Sequence, residues 1–296
     1  ADDEVLMPSL TFIATANAVS YCGAIPHFID VHEETLGVDP YKLDTYLTEI
    51  SELRNGELFN KETNRRIKAL VPMHTFGHAV ELEELQVICE KYHLILVEDA
   101  AESLGTYYKG KQTGSFGKVS AISFNGNKIM TTGGGGAILT DDEALADYAK
   151  HITTTAKVPH RWEFDHDEVA FNYRLPNINA ALGCAQLEKM PEFIEQKRAL
   201  TAFYEELVAP LEGVTLFKEP ANSFSNYWLQ TLILDDTLVR DDVLAFLNDH
   251  GVMSRPIWTP LHKLKPYRDC PRADLSTIER LNKKIINIPS TPIKEG

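Results

Sequence analysis

The sequence predicts an α/β fold: a large domain on a mainly parallel sheet, followed by a smaller α+β domain. Three observations predict it. From Glu4 to Leu139, short apolar runs alternate with segments of helical periodicity. The runs lack the in–out alternation of a half-exposed strand, so they read as strands covered on both faces. Beyond Glu188 the alternation gives way to long charged helices and scattered strand-like runs. With 296 residues, 44% of them hydrophobic, the chain can bury either one large core or two smaller ones.

The first strand is expected at Glu4–Met7. The helix Thr11–Cys22 follows and ends at Gly23, which can adopt the left-handed conformation of a C-terminal cap. Ile25–Val31 is the next strand. Asp39 before Pro40 marks a helix start leading into Lys42–Ile50, since the carboxylate can accept free amides and proline has none to leave unpaired. Ser51–Arg66 is polar and reads as a surface excursion. Ile67–Met73 is a strand, and Glu81–His93 is a helix with Leu82, Leu85, Ile88 and Cys89 at helical spacing. Leu94–Val97, Val119–Phe124 and Ala137–Leu139 complete the strands of the large domain. The two acids that open Asp141–Ile152 suit a helix N-terminus. Then come the helices Ile178–Leu187 and Pro191–Leu211, the strand-like Tyr227–Leu234, the helix Arg240–His250 and the strand-like Val252–Ile257. The expected domains are residues 1–188 and 189–296.

The net charge of −14 argues against a nucleic-acid backbone or an anionic membrane as partner. It leaves room for a phosphorylated small molecule, which needs only a few local donors. Cys22, Cys89, Cys184 and Cys270 form no CxxC pair and read as reduced, partly buried thiols. Neither a run of transmembrane length nor a signal-peptide pattern is present, so the cytoplasm is the expected location.

Ligands of open α/β sheets bind beyond the carboxyl ends of the strands. Leu94–Val97 runs into Glu98, Asp99, Ala100, Ala101 and Glu102. Val119–Phe124 runs into Asn125, Gly126, Asn127 and Lys128, with Gly133–Gly136 beyond. An acid and a lysine past neighbouring strands are what pyridoxal phosphate (PLP) chemistry needs. The amine holds the cofactor as a Schiff base, and the carboxylate keeps the pyridine nitrogen protonated. The same residues also fit a capping aspartate and a solvated loop lysine. Other motifs fail on their details. Gly105, Gly110 and Lys111 fit GxxxxGK, but Gln112 stands where a phosphate loop needs Ser or Thr. His74 and His78 are separated by Gly77 and belong to no HExxH, so no metal site is expected. No GxGxxG occurs.

Six segments together resemble the DegT/DnrJ/EryC1/StrS sugar aminotransferases: PSLTFIATANAVSYCGAIPHFIDV (Pro8–Val31), VPMHTFGH (Val71–His78), VEDAAESLGTYYKGKQTGSFG (Val97–Gly117), SFNGNKIMTTGGGGAILT (Ser123–Thr140), FNYRLPNINAALGCAQL (Phe171–Leu187) and RPIWTPLHKLKPY (Arg255–Tyr267). The resemblance implies the aspartate aminotransferase-like fold, PLP fold type I. It implies that Lys128 is the Schiff-base lysine and Asp99 the partner of the pyridine nitrogen. Ser123 would bind the phosphate, Phe12 would stack on the ring, and Ala101 would pack on the opposite face. Glu102 stands where many members carry a glutamine near the PLP 3′-oxygen, so it must be protonated or point elsewhere. Asn172 and Arg174 match a segment that reaches the neighbouring subunit's site, which implies a homodimer with shared sites.

The implied reaction passes the amino group of L-glutamate through the pyridoxamine form of the cofactor to a keto carbon. That carbon belongs to a nucleoside-diphosphate sugar, of the 4-keto-6-deoxy type used for surface polysaccharides or nonulosonic acids. His74, Arg255, Trp258 and His262 are candidate sugar-nucleotide contacts; packing of the small domain accounts equally for Trp258 and His262. A PLP-dependent sugar dehydratase and a catalytically silent relative are the alternatives. Family members carry a Ser-Gly-Thr turn ahead of the Pro8 segment that helps to hold the phosphate. The chain is therefore expected to be a fragment of a longer reading frame, lacking a few residues after Gly296 as well, and to bind PLP more weakly than an extended form.

Overall fold

The structure, a computed structural model, describes residues 1–292. Its first unit runs β1 (Glu4–Pro8), α1 (Ile13–Tyr21), β2 (Ile25–Ile29), α2 (Pro40–Ile50), β3 (Ser51–Arg54), β4 (Glu57–Asn60), β5 (Arg66–Leu70), α3 (Leu82–Tyr92), β6 (Ile95–Asp99), β7 (Val119–Ser123), β8 (Gly136–Leu139) and α4 (Glu143–Thr153). The main sheet has the order β8-β7-β6-β5-β1-β2. Along this order the strands are parallel except β8, which runs antiparallel to β7. Neighbouring residues of β1 show why its strands read as continuous apolar runs. Leu6 packs in one core with Leu47, Leu70 and Leu85, and Met7 in a second with Phe28 and Phe76, so both faces are covered.

The stretch Ser51–Arg66 is not a surface excursion. It folds as the hairpin β3–β4, and β4 joins the sheet antiparallel to the first half of β5, pairing Leu58 with Ile67. Strand β6 takes the second half of β5, pairing Leu70 with Leu96. The hairpin is polar because its outer strand is exposed, and only Leu58 enters the large core.

The expected caps form. Gly23 has φ +68° and donates its amide to the Ser20 carbonyl at the end of α1. Asp39 Oδ1 accepts the amides of Tyr41 and Lys42 at 2.9 and 3.0 Å, ahead of Pro40 in the first turn of α2. Asp39→Ala leaves both amides without this acceptor. It should destabilise the chain by about 1 kcal/mol, read as a lower urea midpoint at unchanged slope.

Helix α5 (Asn177–Glu188) follows, with Gln186 accepting the Thr131 amide and Asn179 donating to the Thr132 carbonyl of the first unit. The second unit contains α6 (Met190–Val208), β9 (Val214–Leu216), β10 (Gln230–Leu234), α7 (Arg240–Asp249), β11 (Arg255–Pro256), α8 (Ser276–Leu281) and β12 (Ile285–Ile288). Its antiparallel sheet has the order β9-β10-β12-β11. Two expected strands shrink. Only Arg255–Pro256 pairs within Val252–Ile257, and β10 begins at Gln230, which leaves Tyr227 and Trp228 in the loop before it. Asp30, just after β2, ties this unit to the first. Its carboxylate accepts the amides of Thr277 and Ile278 at 3.0 Å and the Lys42 ammonium at 2.6 Å. The two exposed cysteines, Cys22 and Cys184, are more accessible than expected.

Candidate active site

Strands β1, β5, β6 and β7 are parallel and end at one edge of the sheet. Each end supplies part of one recess. Phe12 follows β1, its ring half exposed and 6.2 Å from that of Trp258. Met73 and His74 follow β5. Strand β6 ends at Asp99, whose Oδ2 accepts the Thr15 hydroxyl at 2.6 Å and whose Oδ1 accepts the Ala101 amide at 3.2 Å. Strand β7 ends at Ser123, whose hydroxyl accepts the Asn125 amide and holds the turn that leads to Lys128.

The Lys128 side chain is 12% exposed. Its ammonium lies 4.1 Å over the Trp228 ring and 3.6 Å from Glu102 Oε1. The Trp228 indole donates to the Asn127 carbonyl at 2.6 Å, fixing the ring beneath the lysine. The other oxygen of Glu102 accepts the Phe76 amide at 2.9 Å. The Glu102 carboxyl is pushed up to about 8, chiefly by burial and a little by Asp99, with Lys128 and the Phe76 amide pulling the other way. Lys128 and Asp99 thus converge on one enclosed carboxyl.

Gly77 makes this packing possible. At φ +96°, a Cβ there would lie 2.0 Å from Asn226 Oδ1 and 2.9 Å from the Trp228 amide. Asn226 in turn donates to the Glu102 and Leu104 carbonyls and accepts the Trp228 amide. Thr15, Phe76, Asn226 and Trp228 are the site residues that sequence reasoning missed. The run Asn226-Tyr227-Trp228 carried a signal, an amide-bearing side chain two residues before a buried tryptophan. It was masked when Trp228 was read as part of a strand.

A cleft of about 990 Å³ opens from Lys128 between the two units, lined by Trp228, Arg255, Trp258, Lys197 and Asn287. Two of the four sugar-contact candidates, Arg255 and Trp258, are there. The other two are not among its lining residues. His74 is fully buried, with Nε2 3.1 Å from Glu98 and Nδ1 accepting the Val80 amide. His262 is buried between the Ser9 hydroxyl at 2.7 Å and Glu279 at 3.2 Å, joining the two units. A separate cleft of about 880 Å³ runs along β8 and α4 past Ile138 and Tyr173, and includes none of Lys128, Asp99 or Glu102.

Asn172 and Arg174 lie outside the recess of their own chain. Asn172 bridges to Thr154, and the Arg174 guanidinium donates to the Thr154 carbonyl at 3.4 Å. Among the described residues, no hydrogen bond or ion pair joins either to Lys128, Asp99 or Ser123. Their segment is exposed, with Trp162, Phe164 and Tyr173 at 69%, 80% and 70%.

The recess has the chemistry that a PLP ring needs. It offers a nearly enclosed amine, a carboxylate oriented by a hydroxyl and an amide, a half-exposed aromatic face at Phe12 and a small side chain at Ala101. Among the described residues no helix is long and apolar enough to cross a membrane, and no group of three metal-ligating side chains occurs.

The chain is 40% identical over 260 residues to EpsN of Bacillus subtilis, covering 88% of this chain and 64% of EpsN. It is 35% identical over 291 residues to the GDP-perosamine synthase of Caulobacter vibrioides, covering 97% of this chain and 74% of the synthase. The curated relatives it matches are thus spanned over 64% to 75% of their length. The crystal structure of a DegT DnrJ EryC1 StrS aminotransferase from Brucella abortus superposes with a TM-score of 0.87 at 28% identity, covering 98% of this chain and 74% of that one. A model of the DegT/DnrJ/EryC1/StrS aminotransferase family matches residues 1–294. With that match, and with an amine and a carboxylate set past adjacent parallel strands, the chain belongs to the DegT/DnrJ/EryC1/StrS aminotransferase family.

Proposed function

We propose that this chain is a PLP-dependent transaminase that moves an amino group from L-glutamate to a keto carbon of a nucleoside-diphosphate sugar. The observation that carries the reading is the convergence of Lys128 and Asp99 on one recess from neighbouring strand ends. The 35% identity to a GDP-perosamine synthase supports a nucleotide-linked sugar as acceptor. When bound, PLP supplies an electron sink for the bonding pair at the substrate carbon. Asp99 would hold the charge at the pyridine nitrogen, in the orientation that Thr15 and Ala101 give it. Ser123 would donate to the phosphate. Lys128, nearly enclosed beside Trp228, would move a proton as base and then as acid. Phe12 and Trp258 would exclude water above the ring, and Arg255 would meet an anionic part of the substrate. The large domain would be residues 1–188, and the location cytoplasmic.

A panel of 4-keto and 3-keto nucleotide sugars incubated with glutamate tests the reading. Formation of 2-oxoglutarate with an aminated sugar supports it. Cofactor uptake without amino transfer to any member of the panel would point to a dehydratase or a silent relative.

The proposal includes a homodimer in which the exposed segment carrying Trp162, Phe164 and Tyr173 packs on a second copy and brings Asn172 or Arg174 to its site. Inactive Arg174→Ala and Lys128→Ala chains, mixed with verified subunit exchange, should recover about a quarter of normal activity. Half the dimers are then mixed, and each holds one intact site. No recovery would count against sharing.

A further inference from the structure

Trp228 lies in the loop before β10, in the second unit, and is 5% exposed. Each of its three polar groups is taken by a different part of the chain. Its amide donates to Asn226 Oδ1 at 2.8 Å, its carbonyl accepts the Lys197 ammonium of α6 at 2.9 Å, and its indole donates to the Asn127 carbonyl at 2.6 Å. The ring therefore cannot turn without breaking one of these bonds. Asn226 extends the anchorage into the first unit. Its side chain donates to the Glu102 and Leu104 carbonyls at 2.8 and 2.9 Å, and its amide to the Thr106 hydroxyl at 3.0 Å. The fixed indole then meets Lys128 at both ends of its side chain. At one end the N–H holds the carbonyl of the preceding residue, and at the other the ring face lies 4.1 Å from the ammonium. Glu102 Oε1, at 3.6 Å, is beyond hydrogen-bonding range of that ammonium. A tryptophan that only filled the core would need some acceptor for its N–H, but not the backbone beside the one enclosed amine of the recess.

We propose that Trp228 is a positioning residue for Lys128: the indole holds the free amine at one point in the recess, and ties that point to the docking of the second unit on the first. A lysine stem has four rotatable bonds, and anchoring it at both ends removes most of the positions its amine can visit. The use of this in the reaction rests on the aminotransferase reading, because an amine that takes up a proton and returns it must come back to the same place. The placement itself does not depend on that reading.

Trace reductive methylation of the cofactor-free chain with formaldehyde and cyanoborohydride, followed lysine by lysine through peptide mapping, tests the placement. The ring face attracts the charged amine, whereas methylation needs the uncharged one. Labelling of Lys128 should therefore speed up about fivefold in Trp228→Leu and about twofold in Trp228→Phe, whose face is weaker. Lys197 is the internal control. Its two acceptors, the carbonyls of residues 228 and 290, are main-chain atoms that both variants keep, so its rate should not change. In the loaded enzyme, Trp228→Phe keeps a ring and loses the bond to Asn127. Its kcat should fall about tenfold with KM nearly unchanged, and that of Trp228→Leu should fall further. If Trp228→Leu does not fold, Trp228→Phe against wild type carries the test alone. Unchanged or slower labelling of Lys128 in the folded variants overturns the proposal. So does a rise shared by Lys197, which would mean that the second unit has merely loosened. Faster labelling confined to Lys128, in a protein whose wild type aminates no keto-sugar, supports the placement and counts only against the enzymatic reading.

Discussion

Replacing Lys128 by alanine should abolish covalent cofactor attachment and lower turnover on the order of 10⁴- to 10⁶-fold, the range seen when a group that forms the covalent bond and moves the proton is removed. The structure offers no second amine for the task from the rim of the recess. Lys197, which also lines the cleft, donates to the carbonyls of Trp228 and Ser290 and is committed to joining α6 to the small sheet. The variant should remain folded. Lys128 contributes one cation–π contact and one long ion pair, together on the order of 1–2 kcal/mol, and its removal also relieves a buried charge. Borohydride reduction of the wild-type holoenzyme followed by peptide mapping should place the label on Lys128. A label on any other lysine would sink the assignment, whatever the activity of the variant.

The placement of Lys128 and Asp99 beyond neighbouring strand ends was legible because it follows from a local pattern. Strands β6 and β7 are apolar runs with a sharp polar end, and parallel neighbours bring their ends together. The surroundings of Glu102 were not legible. Its one donor, Phe76, is 26 residues away, and the Asn226 that fixes its backbone is 124 residues away. Nothing local distinguishes Glu102 from Glu98, which is equally enclosed but has three backbone amides from a single loop. The histidines show the same limit. His262 was a candidate sugar contact through the resemblance of its segment, yet its ring is taken by Ser9, 253 residues away. In the fold, β12 was missed for a related reason. IINI is too short to announce a strand, although it becomes the inner strand of the small sheet once β10 and β11 pair on either side.

Asp99→Asn should keep the fold and lower turnover on the order of 10²- to 10³-fold, the usual effect of removing one preorganised electrostatic partner from a reacting centre. The present contacts make this substitution unusually clean. The Ala101 amide needs an acceptor on Oδ1, and an asparagine oxygen supplies one. The Thr15 hydroxyl now donates to Oδ2, and it can rotate to accept from an amide NH₂ instead. Neither packing nor hydrogen-bond count need change, so the urea midpoint should move by no more than about 0.5 kcal/mol equivalent. On the proposed reading, what is lost is the carboxylate that would hold a proton on the pyridine nitrogen, and that loss should lower kcat more than it raises KM. A normal fold with reduced kcat assigns Asp99 to the chemistry. A normal fold with near-normal kcat would leave Asp99 only its local contacts with Thr15 and Ala101, and the electron-sink role would have to belong to another group.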